Sequence, residues 1–144
     1  MKKTILCLFA SANSGKSRSI RRVDEILQSY GAKTVKVLFD EYDFCKEYMF
    51  RCHKIGILSL GDPDSAQPKY LRQLANDECD IIVCASRSKG ATCKAVSDIA
   101  TKYDDRYWIS PLYEYDGGHP LAIDMHELNA EFLIKAILAV YNNI

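Results

Sequence analysis

The sequence lacks most features that would announce a special environment. No apolar run approaches the ~20 residues that a membrane-spanning helix needs, and no internal repeat or low-complexity tract occurs. Neither sign of charge dominates. The 19 acidic and 19 basic residues cancel, so no global field draws in nucleic acid or a membrane surface, and any polyanion site must be local. There is no Cys-x-x-Cys and no returning His pair at zinc-site spacing. Cys45 and Cys52-His53 are the nearest approach to a ligand cluster.

What is present is ordinary globular usage, 48% apolar or aromatic and 26% charged, in a chain of 144 residues. That length fits one domain, residues 1–144, with a real hydrophobic core. The six cysteines are scattered through apparent core segments and form no disulfide framework. This favours a reducing compartment, and a cytoplasmic location is expected.

The most informative stretch lies near the beginning. Ile5-Leu6-Cys7-Leu8-Phe9 suits a buried strand, and it empties into Ala10-Ser11-Ala12-Asn13-Ser14-Gly15-Lys16-Ser17. Ile20, Val23, Ile26, Leu27 and Tyr30 then recur at helical spacing up to Gly31, an expected C-cap. The stretch resembles the phosphate-binding loop of P-loop NTPases, in the relaxed form with Ala in place of the first Gly. That resemblance implies backbone N–H groups of Asn13, Ser14, Gly15, Lys16 and Ser17 around a β-phosphate. It also implies Lys16 on the β/γ oxygens and the Ser17 hydroxyl on Mg²⁺. Two other readings compete with it. Met1-Lys2-Lys3 followed by an apolar stretch and Ala10-Ser11-Ala12 also resembles a secretory signal peptide, but the apolar stretch is short and Gly-Lys-Ser has no role in export. A plain polar turn with Ser17 as an N-cap accounts for the loop less well than its flanks do.

Further along, Lys33 to Phe39 reads as a second strand, and Phe44, Cys45, Tyr48, Met49 and Cys52 recur at helical spacing, predicting a short amphipathic helix. Ile55 to Leu60 is a third strand, stopped by Gly61-Asp62-Pro63-Asp64. Pro68 opens a helix carrying Tyr70, Leu71 and Leu74. Asp80 to Ala85 is a fourth strand, Thr92 is expected to cap a helix, and Tyr107 to Ile109 is a weaker fifth strand. Asp124 and Glu127 form an expected capping box for a last helix. Strands alternating with helices predict an α/β fold, a five-stranded mainly parallel sheet with helices on both faces, P-loop NTPase-like. Its ligands would bind beyond the carboxyl ends of the strands.

Candidate residues follow from that rim. Asp62, at the end of an apolar strand, is the expected acidic partner of the metal site with Ser17, and Asp64 is its alternative. Arg87 and Lys89, past the fourth strand, stand where P-loop kinases carry a lid, so Arg87 is a candidate charge stabiliser, although no lid insertion fits. Asp40, Glu41 and Asp43 are candidates for contact with an acceptor, and Arg51 for a substrate phosphate. Tyr113 to Pro120 falls where a base pocket is often lined. The chain has no Asn-Lys-x-Asp, Gly-x-Ser-x-Gly, His-Glu-x-x-His or Gly-x-Gly-x-x-Gly. Those absences remove the guanine-reading, hydrolase-elbow, zincin and Rossmann readings.

The resemblance implies binding of ATP or another nucleoside triphosphate with Mg²⁺. It further implies γ-phosphoryl transfer to a small-molecule acceptor or to water, with Lys16, Asp62 and Arg87 as the catalytic set. The alternative is a non-catalytic module whose occupancy regulates a protein partner. A third reading is a flavodoxin-like α/β domain holding another phosphate ligand at the same loop. Neither a membrane nor nucleic acid is expected as the main partner.

Overall fold

The computed structural model describes residues 1–11, 15–112 and 120–142. Strand β1 (Thr4–Phe9) is followed by α1 (Lys16–Ser29), then β2 (Lys33–Asp40), β3 (Phe44–Phe50) and β4 (His53–Leu58). Helix α2 (Gln67–Asn76) leads to β5 (Ile81–Ser86). Helix α3 (Ala91–Ile99), with a 3₁₀ turn at Ala100–Lys102, leads to β6 (Asp105–Ile109), and α4 (Pro120–Asn142) closes the chain.

The six strands form one sheet in the order β2-β3-β4-β5-β1-β6. Pairings β4–β5, β5–β1 and β1–β6 are parallel, whereas β2–β3 and β3–β4 are antiparallel. The fold is therefore α/β, but the sheet has six strands and is mixed, where five mainly parallel strands were expected. The extra strand is the segment read as a helix. Phe44, Tyr48 and Phe50 point into one core and Cys45 into the other, so β3 is buried on both faces. Apolar residues four apart in such a strand mimic a helical stripe. The aromatic content favours the pleated form, and Arg51 and Cys52, both at positive φ (49° and 69°), make the tight turn back into β4.

Alternation along β1 sorts the core into two layers. Leu6 and Leu8 face α1 and α4, together with Ile20, Val23, Leu133 and Ile137. Ile5 and Cys7 face α2 and α3, with Leu71, Leu74, Val96 and Ile99. Each of these fully buried aliphatic side chains contributes about 1.5–3 kcal/mol relative to an exposed one. The chain moves one way along the sheet through α1 and the other way through α2 and α3. Right-handed crossovers then put those helices on opposite faces.

The helix ends refine three expectations. Gly31 (φ 99°) does close α1: Gly31 N–H reaches Gln28 O at 3.0 Å and Ala32 N–H reaches Leu27 O at 3.2 Å, a Schellman arrangement that favours glycine. Thr92 does not cap α3. Gly90 holds that position, and the Thr92 hydroxyl instead accepts the Arg87 backbone N–H at 3.1 Å. Nor do Asp124 and Glu127 begin α4, which starts at Pro120. Glu127 is spent on Arg22 across the helix pair, at 2.7 Å. Among the described residues no helix is long and apolar enough to cross a membrane. All six cysteines are free, and Cys45 and Cys52 lie at opposite ends of the β3 hairpin, so they make no cluster with His53.

Candidate functional site

Strands β1, β2, β4 and β5 all deliver their carboxyl ends to one rim. β1 leaves toward the α1 face and its neighbour β5 toward the α3 face, so the switch point of the sheet lies between them. A crevice at that point is where α/β sheets hold ligands. Ala10 leaves β1 there and Arg87 leaves β5, with Ala10 N–H bonded to Ser86 O at 3.2 Å.

Within that stretch, Asn13 and Ser14 lie outside the described residues, as does 113–119, the expected base-pocket segment. Gly15 stands at the N-cap of α1 in the left-handed region (φ 82°, ψ 15°). Two constraints demand glycine there. A side chain pays for positive φ, and its Cβ would lie 2.0 Å from His126 Cε1. The imidazole of His126, on α4, is thus laid directly on the turn that launches α1. Its Nδ1 is buried without a hydrogen-bond partner. Burial first, then the positive charge of Arg18, lowers its pKa, so the ring is held neutral against the loop.

Lys16 is only 8% exposed. Its ammonium donates to Ala10 O at 3.0 Å and Ser11 O at 2.9 Å, so the lysine curls back over the loop that precedes it. Desolvation and then the Arg87 guanidinium lower its pKa, with Asp62 opposing. An anion in the crevice would relieve that strain between two cations. Arg87 meets Asp62 at 3.3 Å, while its Nε is buried with no partner. Asp62 is 65% exposed in its side chain. Lys16, Arg87 and Asp62 are thus brought to one place, as expected.

Ser17 is connected differently from the expectation. Its hydroxyl donates to Asp43 Oδ1 at 2.7 Å, and the Ser59 hydroxyl donates to the same oxygen at 2.9 Å. Ser59 Oγ in turn accepts Phe44 N–H at 2.9 Å, fixing the start of β3. The hairpin tip that carries Asp43 is also gripped by Arg21, one helical turn beyond Ser17, which donates to the carbonyls of Glu41 and Tyr42. Among the described residues no arginine or lysine forms an ion pair with Asp43, whereas Asp40 has Lys46 at 3.3 Å. Arg51 lies at the far end of β3 from this rim, stacked on Phe50, which removes it from the site. Lys89 is exposed in the turn after β5.

Beside the loop, Arg18, Arg21, Arg22, Glu25, His126 and Glu127 line a depression of about 280 Å³. Arg22 is satisfied there by Glu25 and Glu127 at 2.8 and 2.7 Å, which also raise its pKa.

The donor set suits a phosphate with a hard cation: a helix N-terminus beneath a left-handed glycine, a buried ammonium, a guanidinium with a spare N–H, and a serine hydroxyl next to a carboxylate. Among the described residues no group of three or more His, Cys, Asp or Glu side chains forms a metal cage. A Mg²⁺ site does not need one, because the ion is commonly held by one or two carboxylates together with phosphate oxygens and waters.

Sequence reasoning missed His126 and Ser59, and gave Asp43 no tie to Ser17. A lone histidine on a helix carries no signal. Asp43 was placed on the rim after the second strand, but its contact with Ser17, 26 positions away, has no local signature. Compared with protein-family models, curated proteins and solved structures, the chain matches none.

Proposed function

We propose that this chain is a P-loop-like nucleotide-binding protein that takes a nucleoside triphosphate, ATP foremost, with Mg²⁺ at Gly15–Ser17. In this reading it acts in the cytoplasm and transfers the γ-phosphoryl group to a small molecule or to water. The observation that carries it is the buried Lys16 ammonium directly after a left-handed Gly15, at the start of the helix that follows β1, a strand with parallel neighbours on both sides. Lys16 and the first N–H groups of α1 would hold the phosphates. Ser17 would serve the cation, and Arg87 would supply a second positive charge where charge develops in transfer.

A second reading, a nucleotide-dependent regulatory module, draws on a specific contact. Ser17 and Arg21 both hold the β2–β3 hairpin tip, so occupancy of the loop would be felt at a surface where Tyr42 is 71% exposed.

Thermal denaturation with ATP, GTP and inorganic triphosphate, with and without Mg²⁺, tests the binding. A ligand at a hundred times its Kd adds about 2.7 kcal/mol and raises the melting temperature. Lys16→Ala is expected to abolish that shift. No shift with any of the three, or an equal shift in the variant, would sink the proposal. Phosphate release in the wild type, dependent on an added acceptor or not, then separates an enzyme from a regulatory module.

A further inference from the structure

The sequence pattern points to Asp62 as the metal carboxylate, but the contacts favour a different residue. Asp62 is exposed and already neutralised by Arg87 at 3.3 Å. Asp43 is half-buried and, among the described residues, in no ion pair. Its Oδ1 gathers the hydroxyls of Ser17 and Ser59 at 2.7 and 2.9 Å, while among the described residues its Oδ2 accepts nothing. A carboxylate beside a serine hydroxyl, at the start of a helix, is an oxygen-donor set of the kind a hard divalent cation takes.

We infer that Asp43, presented by the tip of the β2–β3 hairpin, is the carboxylate of a divalent-cation site shared with the hydroxyl of Ser17. This rests on the phosphate-loop reading above for its partner ligand. Ser59 is a positioning residue: it orients the Asp43 carboxylate and, through Phe44 N–H at 2.9 Å, fixes the strand that presents it. Asp62 belongs instead to the Arg87 side of the crevice. Arg21 restrains the tip through the carbonyls of Glu41 and Tyr42, so the carboxylate is delivered by a segment that α1 itself holds.

The test uses Mn²⁺ in place of Mg²⁺. Free Mn²⁺ is measured by electron paramagnetic resonance in the presence of ATP, for the wild type, Asp43→Asn and Asp62→Asn. In parallel, substoichiometric Mn²⁺ alone is added to isotopically labelled wild-type protein, and amide broadening is followed by NMR. The expected result is one bound Mn²⁺, weakened at least tenfold by Asp43→Asn and less than twofold by Asp62→Asn. Amides of Ser17, Asp43, Phe44 and Ser59 should broaden before those of Asp62 and Asp64. If Asp43→Asn does not fold, the wild-type broadening pattern decides. Broadening centred on Asp62, a larger loss in Asp62→Asn, or no Mn²⁺ uptake at all overturns the assignment. Localised broadening at Asp43 without any ATP-induced stabilisation leaves the cation site standing and removes the nucleotide. ATP-induced stabilisation with Mn²⁺ localised elsewhere does the reverse.

Discussion

The two ends of the sheet treat their polar groups in opposite ways. At the end opposite the rim, Asp80 and Lys54 exchange backbone and side-chain hydrogen bonds at 2.8 and 3.0 Å. Asp77 takes Lys36 at 2.8 Å and Gln73 at 2.9 Å, and the Tyr103 hydroxyl closes on Cys79 O at 2.7 Å. At the rim, His126 Nδ1 and Arg87 Nε are buried without partners, and among the described residues Asp43 has no ion pair. Buried polar groups are nearly always satisfied in folded proteins. The rim leaves two of them short, and under the proposed reading it is the end where a ligand would sit. At the opposite end the exception is Glu47, whose Oε2 has no partner.

The sharpest way to break this contrast is at Gly15. Replacing it with Ala puts a Cβ into the His126 ring and forces an L residue to a φ of 82°. The expected loss is about 2–4 kcal/mol, combining backbone strain with displacement of a packed ring. Urea unfolding measures it. Adding His126→Ala to the same chain should recover the ring's share and leave about 1 kcal/mol from the backbone. A loss below about 1 kcal/mol in the single variant would show that α4 does not press on the loop and that the rim is slack instead of built.

Glu47 sharpens the other side. It is 1% exposed, its Oε2 has no partner, and Lys54 stands 3.8 Å from Oε1. Burial first, then the neighbouring Asp77 carboxylate, raises its pKa to about 7. The same contact and Lys36 lower Asp77 to about 2. For Glu47 the native state keeps its proton after the unfolded chain has lost it. Stability therefore falls as pH rises from about 4.5 to about 7 and then levels. Glu47→Gln should gain about 1–3 kcal/mol at pH 8 and nothing near pH 4. Denaturant midpoints at the two pH values check it. An equal effect at both would mean that burial does not raise the carboxyl's pKa above its unfolded value.

Much of this architecture was legible in the sequence, and the parts that were not share a cause. β1 and β5 are near-continuous apolar runs because both of their faces are covered, and with β4's Ile55–Leu58 their shortness and flanking turn residues mark them as strands. The Ala10–Ser17 loop was legible because each of its parts is adjacent in sequence. β3 was not, since Lys46 and Glu47 interrupt its apolar residues and leave Phe44, Cys45, Tyr48 and Met49 at helical spacing. Asp43 was legible as a rim residue, but its contact with Ser17 across 26 positions was not. His126 meets Gly15 only because α1 and α4 share a face of the sheet, a pairing set by strand order and crossover direction. Local spacing does not encode that order.

The smallest expected effect falls on the residue that the sequence favoured. Asp62 offers Arg87 one contact at 3.3 Å from a side chain that is 65% exposed. A pair of that kind is screened by water and contributes no more than about 0.5 kcal/mol, so Asp62→Asn should barely move the urea midpoint. It should, however, leave Arg87 without its carboxylate and raise the positive potential beside Lys16. Affinity for inorganic triphosphate in the absence of metal should then rise two- to fivefold at low salt and return toward wild type as salt is added. A stability loss well above 1 kcal/mol, with no change in anion affinity, would place Asp62 among the structural groups of the fold and erase the difference between the two ends of the sheet at this position.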